Sequence, residues 1–252
     1  MEDKHMEQFS RTALLIGREG VDRLRSSRVA LFGIGGVGGY VAEALIRSGV
    51  GSLVFYDNDQ VALSNLNRQL IALHSTVGRD KVDVMTARLK DINPDAEITG
   101  HKLFYLPEEA DKIDFASFDY IADAIDTVAA KLDIAERAYH LGVPLISAMG
   151  AGNRLDPTKF RVGDIYETEN CPLARVMRRE LRKRGIPALK VVYSTEPALT
   201  PRPDPAVPME ETRRRATPGS MAFVPPVMGM IMASVIVRDL LENHSAKNPT
   251  EP

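Results

Sequence analysis

One cysteine, Cys171, in 252 residues leaves no partner for an internal disulfide and excludes a four-cysteine zinc site. Charge of one sign is not in excess either: 32 Lys and Arg against 34 Asp and Glu give a net charge of −2. The chain as a whole therefore exerts no pull on nucleic acid, and any such binding needs a local patch. No internal repeat is visible. The opening residues, Met1-Glu2-Asp3-Lys4-His5, lack the apolar core of a signal peptide, so a cytoplasmic protein is expected. Long uncharged runs are scarce. The one that stands out, Ser220 to Val237, is short for a membrane span and carries Pro225-Pro226, which would break a spanning helix. A buried C-terminal helix is expected there, with no integral membrane insertion. The remainder, 44% hydrophobic and 26% charged, suits one large α/β domain.

What is present is organised around Val29-Ala30-Leu31-Phe32-Gly33-Ile34-Gly35-Gly36-Val37-Gly38. An apolar run enters a loop with Gly33, Gly35, Gly36 and Gly38, and Val41, Ala44, Leu45 and Ser48 follow at helical spacing. This predicts strand, tight turn and helix N-terminus, the opening of a nucleotide-binding βαβ unit. Glycine permits positive φ and close approach of phosphate, and the helix start offers free N–H groups to an anion. Ahead of it, residues 8–26 predict two short helices carrying Arg11, in the simplest reading a solvated arginine. After it, Leu53-Val54-Phe55-Tyr56-Asp57 predicts a second strand whose terminal Asp57 suits ribose hydroxyls.

Up to Asp57 a dinucleotide-binding dehydrogenase explains everything. The next stretch adds Asp59, then Ser64-Asn65-Leu66-Asn67-Arg68-Gln69, then a helix from about Gly78 to Ile92 with Lys81 in its first turn. A guanidinium fork and an ammonium converging on a glycine loop suit a polyphosphate under displacement. The structural alternative pairs Arg68 with Asp57 or Asp59 and leaves Lys81 solvated. A third strand lies near Glu97–Lys102. The fourth, Tyr120 to Asp126, carries Asp123 and Asp126 at the edge where open α/β sheets hold ligands, and such carboxylates suit Mg²⁺ bound with substrate phosphates. Asp126 could instead cap the helix that follows to about Leu141.

A fifth strand, Pro144–Ala148, ends in Met149-Gly150-Ala151-Gly152-Asn153. Further strands are expected at Phe160–Asp164 and Leu189–Ser194, giving an α/β sheet, mostly parallel, with a mixed or antiparallel C-terminal part. Between them, Pro172–Arg184 is an amphipathic helix with Leu173, Val176, Met177 and Leu181 on one side and Arg175, Arg178, Arg179, Arg182 and Lys183 on the other. With only Glu180 among them, these suit a phosphate backbone better than a merely solvated face. Residues 197–218, with six prolines and Arg213-Arg214-Arg215, read as a mobile basic loop.

As an ordered set, Gly33-Ile34-Gly35-Gly36-Val37-Gly38, Asp57-x-Asp59, Asn65-x-Asn67-Arg68-Gln69, Lys81 and Asp123-x-x-Asp126 resemble the ubiquitin-activating-enzyme superfamily, whose members adenylate carboxylates with ATP. The resemblance implies that Asp57 and Asp59 hold the ribose and line the metal site, that Asn65, Arg68, Gln69, Lys81 and Asp123 belong to the ATP site, and that Asp126 binds Mg²⁺. Arg11 matches a position from which members reach into the partner's ATP site. Further stretches, Leu70-Ile71-Ala72-Leu73-His74-Ser75-Thr76, Asp156-Pro157-Thr158, Cys171-Pro172-Leu173-Ala174 and Val192-Tyr193-Ser194, look closest to one branch, the tRNA threonylcarbamoyladenosine dehydratases. That branch implies a Rossmann-like homodimer with flanking helices, acting with ATP and Mg²⁺, and with an alkali-metal ion (Na⁺ or K⁺), on tRNA carrying threonylcarbamoyladenosine. Residues 1–243 then form one adenylating domain and 244–252 a flexible tail.

Two other functions compete. Adenylation of a ubiquitin-like sulfur carrier would use the same ATP site, with a sulfur-relay partner at Cys171, yet the paired C-x-x-C zinc ligands frequent in those relatives are missing. An NAD-binding dehydrogenase or nucleotide sensor leaves Arg68, Lys81 and Asp123-x-x-Asp126 without a task.

Overall fold

The computed structural model describes residues 7–202 and 218–245. The arginine run at 213–215 and the tail from 246 lie outside the described residues. Seven strands form one sheet in the order β3-β2-β1-β4-β5-β7-β6. These are β1 (Arg28–Phe32), β2 (Ser52–Asp57), β3 (Glu97–Lys102), β4 (Tyr120–Asp123), β5 (Leu145–Ala148), β6 (Phe160–Asp164) and β7 (Lys190–Ser194). Every pairing is parallel except β6 with β7. The antiparallel character expected of the C-terminal part is thus confined to the edge strand, because β7 enters alongside β5 in parallel. Val29, Ala30, Leu31 and Phe32 of β1 are all fully buried, as expected of a central parallel strand covered on both faces.

The crossover direction reverses between β1 and β4, so a crevice opens at their C-terminal ends, where such sheets bind ligands. The glycine loop after β1 and the loop after β4 form its two walls. Strand β4 ends at Asp123, three residues earlier than expected, and this places Asp126 on the loop.

The helices are α1 (Ser10–Ser26), α2 (Gly38–Ser48), α3 (Lys81–Ile92), α4 (Val128–Leu141), α5 (Pro172–Lys183) and α6 (Val224–Ser245). Helix α1 is two helices joined at Gly17, whose φ of 73° breaks the run. Its second half buries Val21 and Leu24, while Leu14 and Leu15 of the first half stand exposed. Helix α6 runs through Ser245, two residues past the boundary expected at 243. Pro225 and Pro226 sit in its first turn, where a missing N–H breaks no bond, so they open the helix rather than interrupt it. It is long and apolar enough to cross a membrane by composition, with half of that window buried in the fold. Met228, Met232 and Ile236 are fully buried in the same core as Val41 and Leu45 of α2, each such side chain contributing roughly 1.5–3 kcal/mol.

Glu43 ties α2 to α3 through Arg88, at 2.7 Å, and accepts from Arg47 at 2.8 Å. Burial pushes its carboxyl upward, but hydrogen bonds from Arg88 and Arg47 outweigh this and hold it below its ordinary value. The folded state therefore gains stability from Glu43 above the ordinary carboxylate range and loses it as pH falls through the lowered value. Glu43→Gln is expected to cost about 1–3 kcal/mol at pH 7 and to converge on the parent as pH falls below that lowered value, as read by urea unfolding across an acid pH series.

Candidate active site

Four glycines of the loop each meet a different neighbour. Gly33 has φ 83°, and a Cβ there would lie 2.9 Å from Cγ2 of Ile125 and 3.0 Å from the carbonyl oxygen of Ala124. A Cβ on Gly35 would face Gln69 at 3.7 Å, and one on Gly36 would face Pro225 at 3.2 Å and Arg68 at 3.5 Å. A Cβ on Gly38 would come 1.8 Å from the carbonyl oxygen of Gly33, which no neighbour could relieve. The loop is thus folded tightly on itself at the start of α2. The N–H groups of Gly35, Gly36 and Val37 donate to no acceptor among the described residues and are open to an anion.

Asp57, at the end of β2, braces this loop. Its carboxylate accepts from the N–H of Ile34 and the N–H of Asp59, each at 2.9 Å. Asn65 accepts from the N–H of Ala62 through Oδ1, and its carbonyl accepts from Arg68 and Gln69, so it shapes the turn that carries both. Gln69 is buried beneath the glycine loop with Oε1 unpartnered.

The structural alternative for Arg68 is not realised. Its guanidinium donates to the carbonyl of Ser64 at 3.0 Å and to Oδ1 of Asn67 at 2.8 Å, with no ion pair among the described residues. Lys81 is not solvated: it is 4% exposed, and Nζ meets Oδ2 of Asp59 at 2.7 Å. Asp59 therefore serves Lys81 first, leaving Oδ1 as the oxygen available to a metal.

Asp123 requires a correction. Read from sequence as a ligand beside Asp126, it is 1% exposed and turned inward. Oδ2 accepts from Lys131 at 2.8 Å and from Ser147 at 2.6 Å, and Oδ1 accepts from the N–H of Ile125 at 3.3 Å. Burial and full pairing remove it from direct nucleotide or metal contact. Asp126 is the opposite case, exposed and with no partner among the described residues. It does not cap α4: Thr127 holds that position, without a side-chain cap bond. Lys131, which the sequence does not single out, is fully buried in α4. Its one signal was a lysine set between apolar residues, eight positions after an aspartate in a strand.

Arg11 lies exposed on the first half of α1, a helix that packs on α2 and α6, and it pairs with nothing among the described residues. No group of three or more His, Cys, Asp or Glu gathers among the described residues, consistent with Mg²⁺ held by one or two carboxylates and phosphate oxygens. Asp126, exposed on the loop after β4 and unpaired among the described residues, fits that arrangement. Cys171 is buried at the start of α5, where Sγ accepts from the N–H of Ala174 at 3.5 Å, so it offers no exposed thiol.

The basic face of α5 is less free than its composition suggests. Arg178 is half-buried and donates to the carbonyl and hydroxyl of Thr168. Arg179 and Lys183 both pair with Glu180, at 2.8 and 3.1 Å. Arg182 lies over the Tyr166 ring at 5.0 Å, and Arg175 is exposed without a partner among the described residues.

Comparison with known proteins shows the family. Residues 9–251 match the model of the ThiF family. A Bacillus subtilis (strain 168) tRNA threonylcarbamoyladenosine dehydratase is 44% identical over 248 residues, covering 96% of this chain and 98% of the relative. The Escherichia coli (strain K12) tRNA threonylcarbamoyladenosine dehydratase is 33% identical over 213 residues, 81% of this chain and 80% of its own. A crystal structure of the E. coli dehydratase in complex with ATP superposes with a TM-score of 0.88 at 29% identity, covering 98% of both chains. With its glycine loop at the switch point and this likeness along its length, the chain belongs to the ThiF family, among the tRNA threonylcarbamoyladenosine dehydratases.

Proposed function

We propose that the chain uses ATP to dehydrate threonylcarbamoyladenosine beside the tRNA anticodon, by adenylating the threonine carboxylate and closing a ring. The observation that carries this reading is the crevice itself: loop amides, Arg68 and Asp126, none with a partner of opposite charge or an acceptor in the fold among the described residues, and a buried Lys81 lie about one switch point. A dehydrogenase has no use for that set.

In this reading the loop amides and Gln69 cradle the phosphates, and Asp57 receives the ribose on lone pairs its two main-chain donors leave free. A carboxylate oxygen of the substrate attacks the α-phosphorus, and the bond to the β-phosphate oxygen breaks. Arg68, Lys81 and, from the partner subunit, Arg11 stabilise the charge leaving with pyrophosphate. Asp126, with Oδ1 of Asp59, would hold Mg²⁺, which supplies further neutralisation of the phosphates when bound. The carbamoyl group of the same side chain then attacks the activated carbonyl and loses a proton, while AMP leaves with the carboxylate oxygen. The nucleoside is one water lighter. Both reacting groups sit on one side chain, so effective molarity does much of the work and no enzymic nucleophile is needed.

The exposed Leu14 and Leu15 beside Arg11 support a homodimer built on α1, since large uncovered apolar side chains mark contact surfaces. We place the enzyme in the cytoplasm, one domain in extent, with an alkali-metal ion completing the cofactor set. The tRNA stem would run along α5. Arg175→Glu with Arg182→Glu is expected to weaken tRNA binding about tenfold and lower its salt slope by about two, with ATP affinity unchanged in calorimetry. An unaltered slope would make the face a solvated one.

The decisive assay incubates the protein with ATP, Mg²⁺ and tRNA bearing threonylcarbamoyladenosine and weighs the released nucleosides. Loss of one water is expected. An unchanged nucleoside, with pyrophosphate exchange stimulated by a sulfur-carrier protein, overturns the reading in favour of carrier adenylation.

A further inference from the structure

We propose that Lys131 is a positioning residue: with Asp123 it clamps the main chain of Ile125, and so fixes Asp126 against the glycine loop. The inference rests on the reading in which Asp126 acts at the nucleotide.

Three polar side chains lie in the interior beneath this loop: Lys131 at 0% exposure, Asp123 at 1% and Ser147 at 0%. They come from α4, β4 and β5. Lys131 donates to the carbonyl of Ile125 at 3.0 Å, and Asp123 accepts from the N–H of the same residue at 3.3 Å. Both main-chain polar groups of Ile125 are therefore held by one ion pair, whose members lie three residues before and five residues after Asp126 in the chain. Ser147 holds the shared Oδ2 at 2.6 Å and anchors the pair to the neighbouring strand. On its other side, Ile125 approaches so closely that Gly33 has no room for a Cβ, which would lie 2.9 Å away. The clamp thus sets the spacing between the two walls of the crevice.

Stability alone gives a poor account of this pair. Burying two opposite charges in an apolar interior is often no better than a hydrophobic pair of similar volume. A hydrophobic pair, however, could not bind both polar groups of Ile125, and the loop would lose its fixed path. Outer groups that orient a ligand commonly matter 10–100-fold for affinity or rate.

The test uses Lys131→Met with Asp123→Asn, which leaves no unpaired charge inside. The full-length double variant is expected to keep its circular dichroism. Amide exchange at Ile125 and Asp126 should accelerate about tenfold, and the Mg²⁺ needed for half-maximal ATP binding, by calorimetry, should rise about tenfold. Ser147→Ala removes one donor and serves if the double variant does not fold, with about two- to threefold shifts expected in the same direction. A drop in Tm with parental Mg²⁺ dependence and parental exchange at Ile125 would overturn the clamp. Asp126→Ala, measured in parallel, separates the two ideas. If it leaves the Mg²⁺ dependence unaltered, the reading of Asp126 fails. If it abolishes that dependence while the double variant does not shift it, the clamp fails. Exchange at Ile125 tests the clamp in either case.

Discussion

Asp126→Ala is expected to lower the rate of adenylation by about 100- to 1000-fold while the protein stays folded, measured as ATP-dependent pyrophosphate exchange beside thermal unfolding. The two halves of this expectation have separate grounds. Asp126 is exposed and makes no bond among the described residues, so its removal deprives the fold of nothing; surface changes of this kind stay within about 0.5 kcal/mol. It lies on the loop after β4, next to Ile125, which packs against Gly33, and in the proposed mechanism it acts there through the Mg²⁺ it would hold, which neutralises charge as pyrophosphate departs. Parental turnover in the variant would remove Asp126 from the mechanism. Asp123→Ala should differ in losing stability as well, by about 3–5 kcal/mol, because Lys131 would be left buried and unpaired.

Gly38→Ala is expected to abolish ATP binding and to destabilise the domain together. The added Cβ would lie 1.8 Å from the carbonyl oxygen of Gly33, well inside van der Waals contact. The obstacle is main chain, so no rotamer change relieves it. The loop must open, and Gly33 cannot yield toward Ile125, which already fills the far side. Overpacking in close-packed regions costs typically 1–3 kcal/mol, and displacement of the amides removes the anion cradle as well. Calorimetric titration with ATP and a melting curve check both parts. By contrast Gly35→Ala, whose Cβ would meet Gln69 at an ordinary 3.7 Å, should bind ATP with a much smaller loss. Equal effects at the two positions would refute the steric argument.

The elements of the fold were legible because their causes are local. Apolar β1 running into glycines, the amphipathic spacing of α2 and α5, and the two short helices within residues 8–26 each follow from residues within a few positions of one another. The same holds for the order of charged groups along the chain, which fits the ThiF family, and for Asp57 at the end of β2, where strand length alone sets the position. The C-terminal helix is where the sequence places it, but Pro225 and Pro226 open it rather than interrupt it, because the meaning of a proline depends on whether it falls inside a helix or at its first turn, a matter of one or two residues.

The division of labour among charges was not legible. Asp123 and Asp126 are the same residue three positions apart, yet one is sealed against Lys131 and Ser147 and the other is left open. Lys81 stands out in the sequence as a phosphate ligand and Lys131 does not stand out at all, yet both are buried, each against an aspartate on another element. The arginines of α5 read as one basic face, and Glu180, Thr168 and Tyr166 divide it. By itself the sequence determined the helices, the strands and the glycine cradle, since backbone preference and hydrophobic period act over short spans. Which carboxylate faces the crevice and which ammonium is withdrawn from water was decided only by the tertiary structure. Desolvation and pairing are set by neighbours distant in the chain, and a buried charge is tolerated only where packing has already supplied its partner.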